Sequence, residues 1–190
     1  MMYEFKDFAL FVAKSAGYLL KDRFAEKHTI DYKGEIDIVT EADRMSEQLI
    51  VSGIRSNFSD HDILTEESPG INTGSDYRWI IDPLDGTTNY AHGYPVYCVS
   101  LALEVKGEIR LGIIYNPMME EMFVAEKGAG VYLNDRPISV STVEDLKKSL
   151  LSTGFPYDIN QDSNNNINNF SKMAESAQAI RRAGSAALDM

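Results

Sequence analysis

The stretch Trp79-Ile80-Ile81-Asp82-Pro83-Leu84-Asp85-Gly86-Thr87-Thr88-Asn89 decides how the rest of the chain is read. An apolar, β-branched run ends in two aspartates three positions apart, with a proline fixing the bend between them. Carboxylates delivered together at a strand end can converge on one cation. The Leu84 carbonyl between them offers a third oxygen, the ligand type that Mg²⁺ prefers. Gly86-Thr87-Thr88 then suits the opening of a helix, whose first N–H groups lack intrahelical partners and can receive phosphate oxygens. Asp-Pro-x-Asp-Gly is also a good turn, since Pro fixes φ and Asp-Gly tolerates φ > 0. On their own these residues leave turn and metal site equally open.

Two acidic features lie upstream. Glu66-Glu67-Ser68 follows a short strand at Asp62–Thr65, and adjacent like charges repel unless a cation or solvent intervenes. Thr40-Glu41-Ala42-Asp43 reads as an N-cap with acids in the first turn of a helix that runs to about Asn57. There the simple account of Asp43 is charge–dipole stabilisation. Before it, Phe5, Phe8, Ala9, Val12, Ala16, Leu19, Leu20 and Phe24 lie on one face of a helix over residues 3–26.

Beyond the motif the period changes. Residues 96–105, 109–115 and 121–125 are short runs rich in β-branched and aromatic residues, and Lys106-Gly107 and Asn116-Pro117 break them into antiparallel hairpins. A short helix at 143–148 and a buried strand at 149–153 are expected next. A solvated loop with six Asn at 160–169, a helix at 170–177 and a strand at 179–182 follow, and Gly184-Ser185-Ala186-Ala187 begins a helix at the end of the chain. The pattern predicts an α+β domain over residues 1–148, two long helices on a mostly antiparallel sheet, and the start of an α/β domain over 149–190.

Composition sets the class. The 190 residues are 44% hydrophobic and 25% charged, a globular balance that excludes disordered, collagen-like and disulfide-stapled chains. Lys plus Arg number 18 against 29 Asp plus Glu, a net charge of −11, so bulk charge does not recruit nucleic acid or a membrane surface. A lone cysteine, Cys98, in an apolar run allows no internal disulfide and reads as a buried, inert thiol. No run approaches the ~18 apolar residues of a membrane span, and the N-terminus lacks a secretory core, so a cytoplasmic, reducing location is expected.

The motif Asp82 to Asn89, behind its Trp79-Ile80-Ile81 strand and with Glu66-Glu67-Ser68 upstream, closely resembles the inositol monophosphatase family of Mg²⁺-dependent, lithium-sensitive phosphatases. The resemblance runs along the chain through residues 36–43, Tyr94-Pro95, Gly128-Ala129-Gly130-Val131-Tyr132, Asn134-Asp135-Arg136-Pro137 and Arg182-Ala183-Gly184-Ser185-Ala186-Ala187. It implies a layered αβαβα sandwich, here truncated, because the family's second Trp-Asp motif is not found before Met190. It implies two or three Mg²⁺ ions: Glu67, Asp82 and the Leu84 carbonyl for the first, Asp82 and Asp85 for a second, and a weaker third near Glu67.

By the same resemblance Thr87 and Asp43 orient the attacking water, with Glu67 also catalytic. Asp85, Gly86 and Thr87 with Gly184, Ser185 and Ala186 receive the substrate, and Lys33 sits on a loop near the third metal. The implied reaction is hydrolysis of inositol 1-phosphate or a related polyol or sugar phosphate by a homodimer. The alternatives are a non-catalytic regulatory or binding member of the same fold, a fructose-1,6-bisphosphatase or a 3′-phosphonucleotide phosphatase.

Overall fold

The computed structural model describes residues 2–26, 30–32, 38–156, 159–162 and 165–190. Its first element, α1 (Met2–Arg23), buries Phe5, Ala9, Val12, Ala13, Ala16 and Leu20, the face predicted by the 3–4 spacing. It ends three residues earlier than expected, where Phe24 and Glu26 turn back onto the carbonyls of Lys21 and Arg23. A small antiparallel ribbon, β1 (Ile30–Tyr32) and β2 (Ile38–Thr40), leads into α2 (Glu41–Asn57). Thr40 caps α2 as read from sequence: its hydroxyl accepts from the Ala42 N–H, and the Asp43 carboxylate accepts from the Thr40 N–H.

The two helices cover one face of a seven-stranded sheet whose order follows the chain. Its strands are β3 (Asp62–Thr65), β4 (Tyr77–Asp85), β5 (Cys98–Val105), β6 (Glu108–Asn116), β7 (Glu121–Glu126), β8 (Gly130–Leu133) and β9 (Arg136–Pro137). Only β3 and β4 pair in parallel; every later neighbour is antiparallel. Alternate residues Trp79 and Ile81 of β4, Val99, Leu101 and Leu103 of β5, and Leu111, Ile113 and Tyr115 of β6 face the helices and are buried. Gly17 lets α1 lie close on the sheet, because a Cβ there would run into the Tyr115 ring. Each such apolar side chain, fully buried, contributes about 1.5–3 kcal/mol.

The remaining helices are short. α3 (Thr87–Ala91) follows β4 directly, and α4 (Ile167–Ser176) connects β10 (Leu150–Ser152) to its parallel partner β11 (Ala179–Arg181), a βαβ unit. α5 (Ala186–Asp189) approaches β5 and β6. The fold is a mixed α/β architecture with a central, mostly antiparallel sheet flanked by helices, as predicted.

Four local expectations change. The helix expected at 143–148 is a single 3₁₀ turn, Leu146–Lys148, capped by Asp145. The strand expected at 149–153 exists as β10, but it is not buried: Leu150 is 64% exposed, because β10 pairs only with β11. The Asn-rich loop ends early, since α4 begins at Ile167 behind Asn166 at φ 66°. β8 and β9 are additional strands, joined through Asn134 and Asp135 at φ 47° and 65°, the left-handed pair that a tight two-residue hairpin needs.

Candidate active site

The site is built on an irregularity in β4. Asp82 pairs with Ser100 and Asp85 with Cys98, so three steps along β4 match two along β5, a bulge of one extra residue at Pro83-Leu84. In a regular strand, residues three apart point to opposite faces. The bulge removes that alternation, and both aspartates line one small cleft of about 80 Å³. Proline suits the bulge because its missing N–H has no ladder partner to lose. The Ser46 hydroxyl of α2 holds the Pro83 carbonyl at 2.8 Å, and the Leu84 N–H donates to Asp82 Oδ1 at 3.1 Å.

The cleft is lined by Glu66, Asp82, Leu84, Asp85, Gly86, Thr87, Thr88 and Gly184. The acidic residue of this pair that lines the cleft is Glu66; Glu67, the one expected from the sequence as a metal ligand, is not part of the lining. The parallel register decides it: Thr65 pairs with Ile81, so the next residue of the chain comes level with Asp82. Glu67 lies beyond the cleft lining, where its N–H donates to Glu47 Oε2 at 3.1 Å. Thr65 also donates to Glu47, so this buried α2 carboxylate fixes the end of β3.

The electrostatics are those of crowded anions. Burial, then Glu66, then Asp85 push the Asp82 carboxyl up to about 8. Burial also raises Asp43, although hydrogen bonds from Thr40 and Thr87 oppose it. The donors fit a hard divalent cation in kind: carboxylates of Asp82, Asp85 and Glu66 and the Leu84 carbonyl, in a lining that is almost wholly polar. Among the described residues, no three acidic, His or Cys side chains are already gathered into a cage.

Thr87 ties the cleft to α2. Its Oγ1 lies 2.9 Å from Asp43 Oδ1 and 3.0 Å from the Leu84 carbonyl oxygen, so its one proton serves one acceptor at a time. Gly86, at φ 103°, precedes α3, and a Cβ there would meet the Val96 carbonyl at 2.9 Å. The first hydrogen bond of α3 runs from the Tyr90 N–H to the Gly86 carbonyl, which leaves the N–H groups of Thr87 and Thr88 without helical partners.

Asp85 is held from the other side. Its Oδ2 accepts from the Ser185 hydroxyl at 2.8 Å and the Ala187 N–H at 2.6 Å, and its Oδ1 from the Ala186 N–H at 3.1 Å. Cys98 is fully buried beside this pair, 3.6 Å from Ser185, and burial drives its thiol pKa upward. Asn89 bridges the carbonyls of Val96 and Ala183, which brings residues 183–186 against the motif. Beyond Asp85 a larger pocket of about 490 Å³ opens; Gly184, Ser185, Ala186 and Arg182 are among its walls. Lys33 lies outside the described residues. Sequence reading quoted Glu66 and Asn89 within its motifs without giving either a role in the site, and it passed over Glu47, which no local pattern marks.

Bulged carboxylates, an adjoining Gly-Thr-Thr helix start and this α/β layering together place the chain: it belongs to the inositol monophosphatase family, whose profile matches residues 1–190. Among its relatives, the inositol-1-monophosphatase of Synechocystis is 44% identical over 178 residues, covering 93% of this chain and 62% of its own length. Nus factor SuhB of Escherichia coli K12 is 37% identical over 192 residues, covering all of this chain and 72% of its own. The solved extragenic suppressor protein SuhB of Bartonella henselae superposes with a TM-score of 0.91 at 35% identity, over 98% of this chain and 72% of that one. The inositol monophosphatase of Anabaena gives 0.87 at 41%, over 99% and 69%. The chain thus spans about two thirds of the length of these relatives. No helix among the described residues is long and apolar enough to cross a membrane.

Proposed function

We propose that this chain carries the hydrolytic centre of a Mg²⁺-dependent phosphomonoesterase for inositol 1-phosphate or a related polyol or sugar phosphate. The observation that carries the reading is the Asp43–Thr87 pair beside the carboxylate cleft. Glu66, Asp82, Asp85 and the Leu84 carbonyl are the residues that would hold two or three Mg²⁺ ions. Such ions lower the pKa of water to supply hydroxide near neutral pH and offset charge on phosphate oxygens. Asp43 accepts the Thr87 proton, which frees the Thr87 oxygen to take a proton from a water in the cleft. The N–H groups of Gly86 and Thr87 receive phosphate oxygens, and the 490 Å³ pocket walled by Gly184, Ser185 and Ala186 receives the alcohol portion. Lithium sensitivity, a cytoplasmic location, a homodimer and the domain boundary at 148/149 belong to the same proposal.

The name of the Escherichia coli relative, a Nus factor at 37% identity, favours a second reading in which the fold acts through a protein partner. Phosphate release from inositol 1-phosphate under Mg²⁺ titration separates the two. Metal-dependent release should vanish in Asp82→Asn and fall about 10²–10⁴-fold in Thr87→Ala, the range for loss of a proton-transfer group. Release that is the same with and without Mg²⁺, or unchanged in Asp82→Asn, would reject the phosphatase reading.

A further inference from the structure

The buried face of α2 changes character along its length. Its later turns give Ile50 and Ile54 to the core, whereas its first two bury Asp43, Ser46 and Glu47 at 0%, 0% and 7% exposure. At 3.6 residues per turn these three positions fall within an arc of about 100°, so they form one polar ridge. Each reaches a different segment of the site. Asp43 accepts from the Thr87 hydroxyl at the start of α3, and the Ser46 hydroxyl donates to the Pro83 carbonyl in the bulge. Glu47 brackets a single residue: its Oε2 accepts from the Thr65 hydroxyl on one side of Glu66 and from the Glu67 N–H, at 3.1 Å, on the other.

We propose that Glu47 is a positioning residue of the carboxylate cleft: it grips the chain on both sides of Glu66 and so sets the Glu66 carboxylate against Asp82. The inference rests on the reading of the cleft as a Mg²⁺ site. The pairing of β3 with β4 stops at Thr65 and Ile81, one residue short of Glu66, so the ladder alone does not fix the ligand's backbone. A carboxylate at the end of a flexible side chain keeps a constant ligand geometry only when groups behind it hold it in place. The two bonds to Glu47 supply that hold.

The stability of α2 does not account for a glutamate here. A buried carboxylate is costly to desolvate unless it is hydrogen-bonded, and an apolar side chain at this position would extend the Ala42, Ile50 and Ile54 face without that cost. Both bonds fall on one oxygen. An amide oxygen also has two lone pairs, so glutamine can keep the bracket without the charge, whereas leucine keeps the bulk without the bracket. The two replacements therefore separate holding Glu66 in place from simply adding negative charge near a cation.

Calorimetric titration of the whole chain with Mg²⁺ reads the affinity of the folded protein, and the melting temperature without Mg²⁺ reads its stability separately. Glu47→Leu should raise the Mg²⁺ dissociation constant by about tenfold or more, the range for loss of a group that orients a metal ligand. Thr65→Val removes one of the two bonds and should raise it by about threefold, which tests the bracket even if Glu47→Leu does not fold. Glu47→Gln should stay within about twofold of the native chain. In a Glu66→Gln background, Glu47→Leu should add less than about twofold, because two changes that act through one ligand are not additive. An unchanged dissociation constant in Glu47→Leu or Thr65→Val, whatever the melting temperature, would overturn the proposal and leave the cleft standing as a Mg²⁺ site. A full effect in the Glu66→Gln background would do the same, and so would a Glu47→Gln that binds as weakly as Glu47→Leu, since charge alone would then be responsible. A native chain that takes up no Mg²⁺ would overturn the cleft reading and this proposal together.

Discussion

Glu66 and Glu67 are chemically identical neighbours, and only their place against β4 distinguishes them. Thr65 is level with Ile81, so Glu66 is level with Asp82, while the next residue, Glu67, donates its backbone N–H to Glu47 of α2. Mg²⁺ should raise the melting temperature of the native chain, because a ligand that binds only the folded state stabilises it by mass action. Glu66→Gln should weaken that response so that about tenfold more Mg²⁺ is needed for the same shift, whereas Glu67→Gln should leave it nearly unchanged. Thermal melts across a Mg²⁺ series read this directly, and the reverse ranking would return the ligand role to Glu67. The choice is not legible in the sequence, because it depends on the pairing of two strands separated by a loop. That Asp82 and Asp85 come together in one cleft is legible, because one short motif carries the strand, the proline and both carboxylates.

The elements that position the site differ in how locally they are encoded. The faces of α1 and α2, the Thr40 cap and the β5–β6–β7 meander follow from spacing and turn residues, so they can be read along the chain. The 3₁₀ turn at Leu146–Lys148 and the exposure of β10 cannot, because both depend on what the 149–190 segment packs against. The β8–β9 hairpin had its signal in Asn134-Asp135, two residues that tolerate φ > 0. At the junction of β4 and α3 the same logic makes a prediction. Gly86 combines φ 103° with a Cβ position crowded by Val96 and Tyr97, whereas Gly93 has φ 71° and open space. Gly93→Ala should cost only backbone strain, about 1 kcal/mol, and Gly86→Ala more, about 2–3 kcal/mol. For a chain of this size those costs correspond to roughly 2–4 °C and 4–12 °C in melting temperature. Equal losses would mean that the approach of Val96 and Tyr97 to the motif does not constrain it.

At the scale of the whole molecule, α1, α2 and the sheet meet in one aromatic cluster of Phe5, Phe58, His61, Tyr77 and Trp79, and His61 is its one titratable member near neutral pH. The ring is 5% exposed, stacked on Tyr77 at 4.7 Å and 7°, and on Phe58 at 5.0 Å and 13°. Trp79 Nε1–H donates to its Nδ1 at 3.1 Å, so Nδ1 is unprotonated and Nε2 carries the hydrogen. Protonation would set two N–H donors against each other inside the cluster. Burial accordingly lowers the His61 pKa below its ordinary 6.5, although Asp60 and Asp62 pull it upward. A folded pKa below the unfolded one means that the unfolded chain binds the proton more readily. The stabilisation is thus complete above about pH 6.5 and is lost as pH falls below it toward the folded value. Asp82 acts in the opposite sense: its folded pKa is raised, so its contribution is complete below pH 3.8 and is lost as pH rises toward about 8. The two are separated by comparing the native chain with His61→Asn, whose side-chain oxygen can still accept from Trp79. The native chain should be more stable than the variant at pH 7.5, and the gap in urea midpoint should narrow by pH 5.5. A gap that stays constant or widens on acidification would show that His61 does not couple protonation to the packing of α1 and α2 on the sheet.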